Sequence, residues 1–427
     1  MKLIETLVPA DFRGSLTGPL RRFYCATFVS AMGSGLTYSL FVIYLHNVRG
    51  FSTDFATLLL SLVALVGICS SPIWGSFTDR FGPITVIMVT VTADAATLIL
   101  WAHARTESQA TLTALLIALF GGAGWGASST LLSRIVPREQ RQRAFGLNFM
   151  LLNLSIGFGV LVSASIVDLH HPETFVILYT FDAAVTLLAG LITFTLRRYG
   201  GAIKELRDDA NLREQGWREV LRDRRLRSYV IAAVVLMIGG YGSQEAGYSL
   251  FVVNNLHLSV HVIGVIFFFN TTTIVCSQLW VLNRIEGKSR TKVMAGVALL
   301  WFIFWVILDA ALALPKALAI VSLCVAMVVF AVGETMLSPV GGALVNEIAP
   351  EHLRGRYNAA AGLAWGASGT LAPAITAFYF NEHVGNWWPL GTGVTALIGG
   401  ALMLRLRRLL SAPEDGREPY PTPVASE

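Results

Sequence analysis

Charged residues and cysteines are both scarce in this sequence of 427 residues. Asp, Glu, Lys and Arg make up 14% of the chain, whereas a typical soluble domain carries about 25%. Such a composition excludes an ordinary soluble globular protein, because too little charge is present to cover its surface. The four cysteines match neither a disulfide framework nor a metal site, and we expect small buried packing residues at Cys25, Cys69, Cys276 and Cys324.

Hydrophobic residues account for 54% of the chain and are gathered into about twelve stretches. Each stretch has roughly the 20 residues that cross the hydrocarbon layer as a helix. The stretches are too long and too uniformly apolar for barrel strands, which alternate in polarity. We therefore predict an all-α membrane protein with twelve transmembrane helices. The predicted spans lie approximately at 23–46, 54–75, 84–103, 111–133, 144–167, 174–196, 228–253, 261–282, 292–311, 316–337, 357–380 and 387–409.

The 32 lysines and arginines are distributed unevenly between the two sides of the predicted membrane. With the N-terminus in the cytoplasm, 29 of them lie on the cytoplasmic side, and only Arg49, Arg105 and Lys316 lie on the other. This positive-inside pattern predicts a multi-pass protein of the cell membrane (plasma or inner) with both termini in the cytoplasm. It argues against a nucleic-acid partner, which would require basic residues gathered on a soluble face.

Short sequences recur in the two halves of the chain. Tyr-Ser-Leu-Phe-Val occurs at 38–42 and again at 248–252. The pattern Pro-x-x-x-Arg-x-Arg begins at Pro137 and again at Pro350. Because the repeats keep their order at nearly constant offsets, they predict two pseudo-symmetric six-helix bundles related by an axis along the membrane normal.

A polar connector of about 30 residues joins the two halves. Its apolar residues have the spacing of an amphipathic helix, which we expect to lie along the inner leaflet as a solvated connector. The predicted segments are a cytoplasmic N-terminal tail at 1–22, an N-terminal bundle at 23–196, a cytoplasmic central loop at 197–227, a C-terminal bundle at 228–410 and a disordered cytoplasmic tail at 411–427.

The loop after the second span reads Gly-Ser-Phe-Thr-Asp-Arg-Phe-Gly-Pro from Gly75 to Pro83. It resembles the signature loop of the major facilitator superfamily, Gly-x-x-x-Asp-Arg-x-Gly, in sequence and in position. Together with the twelve spans, the repeated halves and the long central loop, the resemblance covers nearly the whole chain. It implies a secondary transporter that works by alternating access around a site near the midplane.

The resemblance also implies roles for the residues of this loop. Gly75 would permit close helix approach, and Gly82 a tight turn. Asp79 would meet the positive N-terminal end of the eleventh helix, and Arg80 would pair with a carboxylate, so that both residues help to close the cytoplasmic gate. The alternative is a plain charged turn at the level of the lipid headgroups.

The second half carries a degenerate copy of this loop. Asn283 precedes Arg284 where the first half has an aspartate, so we expect a weaker latch there. Glu334 lies in the segment Gly-Glu-Thr-Met-Leu-Ser-Pro, which looks like drug-exporter members of the superfamily. We expect Glu334 to form an ion pair of the inner gate with Arg284, Arg354 or Arg356, rather than to bind substrate.

Ionisable side chains within membrane spans are costly, which makes each one a candidate for function. Glu245 follows the glycine-rich segment 239–242 of the seventh span, where a bend is expected. Tyr241, Gln244, Glu245 and Tyr248 have the spacing of one helix face, and the resemblance places this helix at the central cavity. We expect Glu245 to carry the coupling proton; a structural hydrogen bond is the alternative.

Other polar and aromatic residues of the spans could contact substrate. Aromatic rings hold flat or cationic organic molecules by stacking and cation–π contact, although packing is the alternative role. The candidates for substrate contact are Ser34, Tyr38, Trp125, Tyr241, Gln244, Tyr248, Asn270 and Trp365. For Asp94 and Asp182, on helices that are peripheral in this fold, we expect interhelical hydrogen bonds rather than transport chemistry.

No phosphate-binding loop, metal-ligand spacing or nucleophile motif is present in the sequence. We therefore expect no enzyme activity and no cofactor, and a monomer that draws energy from a proton or substrate gradient. The first hypothesis is proton-coupled efflux of amphipathic, drug-like compounds. The chain lacks an arginine within the fourth helix and a Gly-Pro motif in the fifth that proton-linked exporters of the family often carry. Uptake of a sugar or organic acid is the alternative, and a non-transporting receptor or scaffold is a remote one.

Overall fold

The computed structural model describes residues 16–37, 40–41, 44–168, 171–202, 216–258, 260–381 and 385–418. Within these residues every regular element is a helix and no strand occurs, which confirms the predicted all-α class. The substrate candidate Tyr38 lies outside the described residues, as do most of the central connector and the end of the C-terminal tail.

Fifteen α-helices are present in the described part of the chain. In chain order they are α1 Gly18–Thr37, α2 Thr53–Phe81, α3 Pro83–Ala102, α4 Glu107–Gly121, α5 Gly124–Ile135, α6 Arg141–Ile166, α7 Glu173–Phe194, α8 Trp217–Arg222, α9 Arg224–Met237, α10 Ser243–Asn254, α11 Val260–Ile285, α12 Arg290–Ala310, α13 Lys316–Ile348, α14 Arg354–Asn381 and α15 Trp388–Leu406.

Ten helical stretches of the described residues are long and apolar enough to cross a membrane. They correspond to all the predicted spans except the first and the eleventh. Those two positions hold α1 and α14, whose 20 and 28 residues give them sufficient length. The observed helices therefore agree with the predicted twelve-span architecture.

The turn between α2 and α3 shows how the sequence ends one helix and begins the next. Gly82 has φ 86°, a left-handed conformation that glycine adopts without steric cost. Its N–H donates to the carbonyl of Thr78 at 3.0 Å, which closes the last turn of α2. Pro83 then occupies the first position of α3, where a missing N–H costs little. This turn presents the preceding residues, Asp79 and Arg80, at the end of α2.

The described residues fall into two compact units. Unit 1 contains those within Met1–Val136, Leu147–Val220 and Ala349–Gly366, and unit 2 contains those within Pro137–Gly146, Leu221–Ile348 and Ala367–Glu427. Each unit is thus built mainly from one half of the chain and takes one short segment from the other half. These exchanged segments, 349–366 and 137–146, carry the two copies of the repeated Pro-x-x-x-Arg-x-Arg pattern.

Aromatic side chains form the core at one end of unit 1. The ring of Tyr44 lies 5.1 Å from the ring of Tyr179 and 5.6 Å from that of Phe175. The hydroxyl of Tyr44 donates to the carbonyl of Ala102 at 2.9 Å, and Arg49 donates to the same carbonyl at 2.6 Å. Arg49 thereby caps the free carbonyls at the end of α3.

Two expectations from the sequence are corrected by the fold. Cys25, Cys69 and Cys276 are exposed on the helix surfaces rather than buried. Residues 411–418, predicted as part of a disordered tail, form an ordered turn against the start of α12. Asp415 is completely buried there.

Candidate functional site

The seventh predicted span is broken where its glycines cluster. A π-helical turn, Ile238–Gly242, separates α9 from α10. Within it Gly240 has φ −120° and ψ −106°, outside the helical region, and a Cβ at this position would overlap the ring of Trp301. The carbonyl of Gly239 accepts a hydrogen bond from the indole N–H of Trp305 at 2.7 Å. Two tryptophans of α12 therefore hold the bend in place.

Glu334 of α13 lies beside this bend and is buried, with 5% of its surface exposed. Its carboxylate accepts hydrogen bonds from the side-chain amide of Asn270 on α11 and from the hydroxyl of Tyr241 in the bend. Within the described residues, no lysine, arginine or histidine forms an ion pair with it. A buried carboxylate held only by neutral donors lacks a counter-charge, and a proton or a cation can supply it.

The expectation that Glu334 pairs with an arginine is therefore wrong for this conformation. Each proposed partner is engaged elsewhere. The guanidinium of Arg284 lies over the ring of Trp280 at 5.2 Å. Arg354 lies 4.0 Å from Glu351, and Arg356 binds Asp79 at 3.0 Å. The sequence suggested an ion pair because hydropathy gives the depth of a residue but not the direction in which its side chain points.

The predicted cavity face of α10 is divided between the interior and the surface of unit 2. Gln244 and Tyr248 are buried, and the ring of Tyr248 stacks on Phe304 at 5.8 Å. Tyr248 is therefore a packing residue here rather than an exposed substrate contact. Glu245 is exposed on the surface of the unit and lies close enough to Glu334 for their charges to interact. The two carboxylates, with Tyr241 and Asn270, form one polar cluster, which we call the carboxylate cluster.

Aromatic rings line the carboxylate cluster on the side of α12 and α13. The ring of Tyr241 lies 5.5 Å from that of Trp301 and 5.7 Å from that of Phe330, both edge-on. Trp301 and Phe330 stack on each other at 5.1 Å. These contacts place an apolar, π-rich wall next to a negative group, an arrangement that suits cations.

The substrate candidates of unit 1 are less closely grouped. Trp125 and Trp365 expose 48% and 42% of their surface. Ser34 is exposed, and its hydroxyl donates to the carbonyl of Ser30 at 3.4 Å. Asp182 is buried and accepts a hydrogen bond from the hydroxyl of Thr37 at 2.7 Å. This bond joins α7 to α1 and is the interhelical contact expected for Asp182.

In unit 1 a group of polar contacts, which we call the unit 1 latch, joins the end of α2 to the start of α14. Asp79 is 3% exposed, and its two carboxylate oxygens accept from the backbone N–H of Gly355 at 2.6 Å and of Arg356 at 3.1 Å. The guanidinium of Arg356 adds an ion pair at 3.0 Å. The start of a helix binds anions in this way because its N–H groups are free and its dipole is positive.

Close helix packing at Gly75 makes this latch possible, because a Cβ at Gly75 would lie 2.6 Å from that of Ala359 on α14. The expectation for Arg80 is corrected. Its guanidinium lies over the ring of its neighbour Phe81 at 5.3 Å, and among the described residues it has no carboxylate partner. Arg356 supplies the positive charge of the latch instead.

Unit 2 has its own latch, between the start of α6 and the ends of α11 and α13. Arg141 and Glu347 form an ion pair at 2.9 Å, and both side chains are almost completely buried. Arg143 binds Glu286, which is partly exposed. Asn283 forms no ion pair there among the described residues; Glu286, three residues further along, supplies a carboxylate to Arg143 instead.

Sequence reasoning missed Glu347, Glu286 and Asp415 as functional or structural acids. The repeated arginines, Arg141 and Arg354, were the available signal, because a repeated buried cation requires an acid somewhere nearby. The identity of that acid depends on which helix ends pack together, and no local pattern records this.

Comparison with known proteins gives the family. The model of the Major Facilitator Superfamily matches residues 23–324 and 246–426. The chain belongs to the major facilitator superfamily. It is a multi-pass membrane transporter rather than an enzyme.

The similar proteins include both sequence and structural relatives. A Na(+), Li(+), K(+)/H(+) antiporter of Planococcus maritimus is 24% identical over 365 residues, which cover 76% of this chain and 81% of the relative. A bacterial homologue of the iron transporter ferroportin in its outward-facing state has a TM-score of 0.73 at 11% identity, with 92% of this chain and 100% of that chain covered. The human organic anion transporter MFSD10 (TETRAN) has a TM-score of 0.66 at 14% identity, with the same coverage. The two structural relatives support the fold alone.

Proposed function

We propose that this transporter is a proton-coupled antiporter that exports a cation, and that the carboxylate cluster of unit 2 binds the two in turn. The observation that carries the proposal is Glu334, a buried carboxylate on a membrane-spanning helix with neutral hydrogen-bond donors and no cationic partner in the described structure. Its charge requires a proton or a cation as a counter-charge.

Glu245 supports the same assignment. A carboxylate on a membrane-spanning helix is costly against lipid and is normally found facing water or another polar group. Glu245 is exposed on the surface of unit 2 but interacts with the charge of Glu334. Two nearby carboxylates repel each other when both are ionised, so that binding one proton or one cation between them is favourable.

Antiport follows if the two ligands exclude each other. A proton on the carboxylate cluster lowers the negative charge that attracts a cation, and a bound cation lowers the affinity for the proton. If the protein releases the cation in one facing state and the proton in the other, the two ligands cross the membrane in opposite directions and their fluxes are coupled. In this scheme the latches at Asp79 and Arg141 would stabilise one facing state. The protein would lie in the cell membrane with both termini in the cytoplasm, as the positive-inside pattern predicts.

Two classes of cation fit the carboxylate cluster. The name of the Planococcus maritimus relative, which describes exchange of Na⁺, Li⁺ or K⁺ for H⁺, favours an inorganic monovalent ion. The rings of Tyr241, Trp301 and Phe330 favour a cationic amphipathic compound instead, since aromatic faces bind organic cations. The second class corresponds to the drug-like efflux expected from the sequence.

The test is flux through purified protein in liposomes that contain a trapped pH-sensitive dye. An imposed pH gradient should be dissipated on adding Na⁺, Li⁺ or K⁺, or on adding tetraphenylphosphonium as the organic probe. Glu334→Gln keeps the hydrogen-bonding shape but cannot ionise, so its flux should fall to the level of empty liposomes. Glu245→Gln should behave similarly.

Glu107→Gln is the matched control, because Glu107 is exposed at the start of α4 and lies outside the carboxylate cluster. Its flux should equal that of the unaltered protein. Full proton-coupled flux in the double variant Glu245→Gln/Glu334→Gln would refute the proposal. Cation flux without any proton movement in the unaltered protein would refute the coupling.

A further inference from the structure

A cleft of about 340 Å³ opens in unit 2, away from the carboxylate cluster. Its walls are the start of α6, the turn between α11 and α12, and the C-terminal residues 413–418. Five basic side chains and three glutamates line it. The basic residues are Arg138, Arg143, Lys288, Arg290 and Arg417. The excess of positive charge favours an anionic ligand.

The C-terminal wall of the cleft is rigidly held. Asp415 is completely buried, and its carboxylate accepts from the hydroxyl of Ser289 at 2.7 Å and from the backbone N–H of Thr291 at 2.9 Å. Arg417 binds the same carboxylate at 3.1 Å. The guanidinium of Arg290 donates to the carbonyl of Glu414 at 2.6 Å. Two of the basic residues are therefore fixed before any ligand arrives, which lowers the entropic cost of binding.

Arg143 connects this cleft to the latch of unit 2. Its guanidinium binds Glu286, which also lines the cleft. The Nε–H of Arg143 is buried and has no hydrogen-bond partner among the described residues. A guanidinium presents several donors in one plane and can bind a phosphate through two of them at once. Because Arg143 lines the cleft and binds Glu286, an anion in the cleft would compete with Glu286 for this guanidinium.

We propose that the cleft binds the phosphate group of an anionic ligand, and that the bound phosphate competes with Glu286 for Arg143 and so loosens the unit 2 latch. Basic pockets between membrane helices bind the headgroups of anionic lipids when they lie at the cytoplasmic surface, where the positive-inside pattern places this cleft. A lipid headgroup and a free phosphomonoester share the chemistry. The proposal stands independently of the proton coupling at Glu334.

The test measures binding of two probes to the purified, full-length protein. One probe is phosphatidylglycerol mixed with phosphatidylcholine in nanodiscs, followed by native mass spectrometry of the retained lipid. The other is soluble glycerol phosphate, followed by the shift in thermal unfolding temperature. The double variant Arg138→Gln/Lys288→Gln should weaken binding of whichever probe the unaltered protein binds by about tenfold, since two charged contacts to phosphate are lost.

Arg218→Gln/Arg222→Gln is the matched control. Both arginines are exposed and basic but do not line the cleft, so binding should be unchanged. Glu286→Gln is the decisive variant. It removes the competitor for Arg143, and affinity for phosphate should rise by about threefold, as expected for a partly exposed ion pair.

The outcomes separate the two sources of the phosphate. Retention of phosphatidylglycerol without a response to glycerol phosphate would assign the cleft to a lipid headgroup, and a response to both probes would assign it to phosphate in general. Equal losses in the cleft variant and the control variant would overturn the site, as would the absence of binding by either probe. Unchanged or weaker binding in Glu286→Gln would overturn the competition.

Discussion

The two exchanged segments of this transporter carry the same repeated sequence but are held by different chemistry. In unit 1 one carboxylate, Asp79, binds the segment 349–366 by accepting two backbone N–H groups and one guanidinium, and Asn358 adds a hydrogen bond to Thr130. In unit 2 the segment 137–146 is bound through two separate ion pairs, Arg141–Glu347 and Arg143–Glu286. The two copies of the repeat therefore share their arginines, whereas the acids that bind these arginines lie at different positions in the two halves.

This difference shows which part of a latch is constrained. An arginine side chain is long and can reach an acid in any of several turns, so the position of the acid can drift. Asp79 is short and caps a helix, and its position is fixed by the close approach of α2 and α14 at Gly75. The unit 1 latch should thus depend on one residue, whereas the unit 2 latch should divide its stability unequally between two pairs.

The largest effect is expected at the buried pair of unit 2. Glu347→Ala would leave the guanidinium of Arg141 buried without its partner, at a cost of about 3–5 kcal/mol in unfolding free energy. The measurement is thermal or denaturant unfolding of the protein in detergent. Arg141→Met/Glu347→Leu should recover most of the loss, and a double variant as unstable as the single one would show that the pair is not the cause.

A smaller effect is expected at the unit 1 latch. Asp79→Asn keeps the size and one acceptor oxygen but removes the charge that faces Arg356 and the start of α14. We expect a loss of about 2 kcal/mol, the scale of a hydrogen bond to a charged group. Arg80→Gln is the matched control, because Arg80 is the next residue and takes no part in the latch. Equal destabilisation by both variants would contradict the assignment of the latch to Asp79.

The exposed pair of unit 2 should contribute least to stability. The side chain of Glu286 is 41% exposed, and ion pairs of this kind contribute about 0–1 kcal/mol. Glu286→Gln should therefore shift the unfolding temperature only slightly, and the shift should shrink further in high salt. A loss as large as that of Glu347→Ala would reverse the ranking of the two pairs.

The smallest effect is a dependence on pH at His352, which precedes α14 in unit 1. The pKa of His352 lies below its ordinary value of 6.5, mainly because the side chain is partly buried. The nearby Glu219 raises the pKa, and Arg356 lowers it further. Because the unfolded chain then binds more protons than the folded one below about pH 6.5, stability should fall as the pH drops through that range. His352→Gln should flatten the pH profile of the unfolding temperature. An unchanged profile would exclude His352 as its source.

Much of the fold could be predicted from the sequence because membrane burial is a local property. Runs of about 20 apolar residues must become helices in lipid, and the bend at Gly239–Gly242 follows from the weak helix preference of glycine. The loop from Gly75 to Pro83 identified the family and placed Asp79 near the start of α14. The residues of the carboxylate cluster were also all singled out, because polar groups are rare in membrane spans.

Partners could not be predicted in the same way. Each residue along a helix turns its side chain by about 100°, so that depth alone did not tell whether Glu334 faces an arginine or Asn270. The same limit applied to Tyr248, which packs inside unit 2, and to Arg80, which lies on Phe81. The predicted disorder of the C-terminal tail failed at residues 411–418 because the binding partners of Asp415, Ser289 and Thr291, lie more than a hundred residues away in sequence.

The sequence by itself determined that the helices lie in lipid, the order of the spans along the chain, the family and a short list of candidate polar residues. Only the tertiary structure decided which of those residues meet: Glu334 with Tyr241 and Asn270, Arg143 with Glu286, and the C-terminal turn with the start of α12. The physical reason is the range of the forces involved. Transfer into lipid acts on each residue separately, whereas a hydrogen bond or an ion pair requires two groups that only the packed helices bring together.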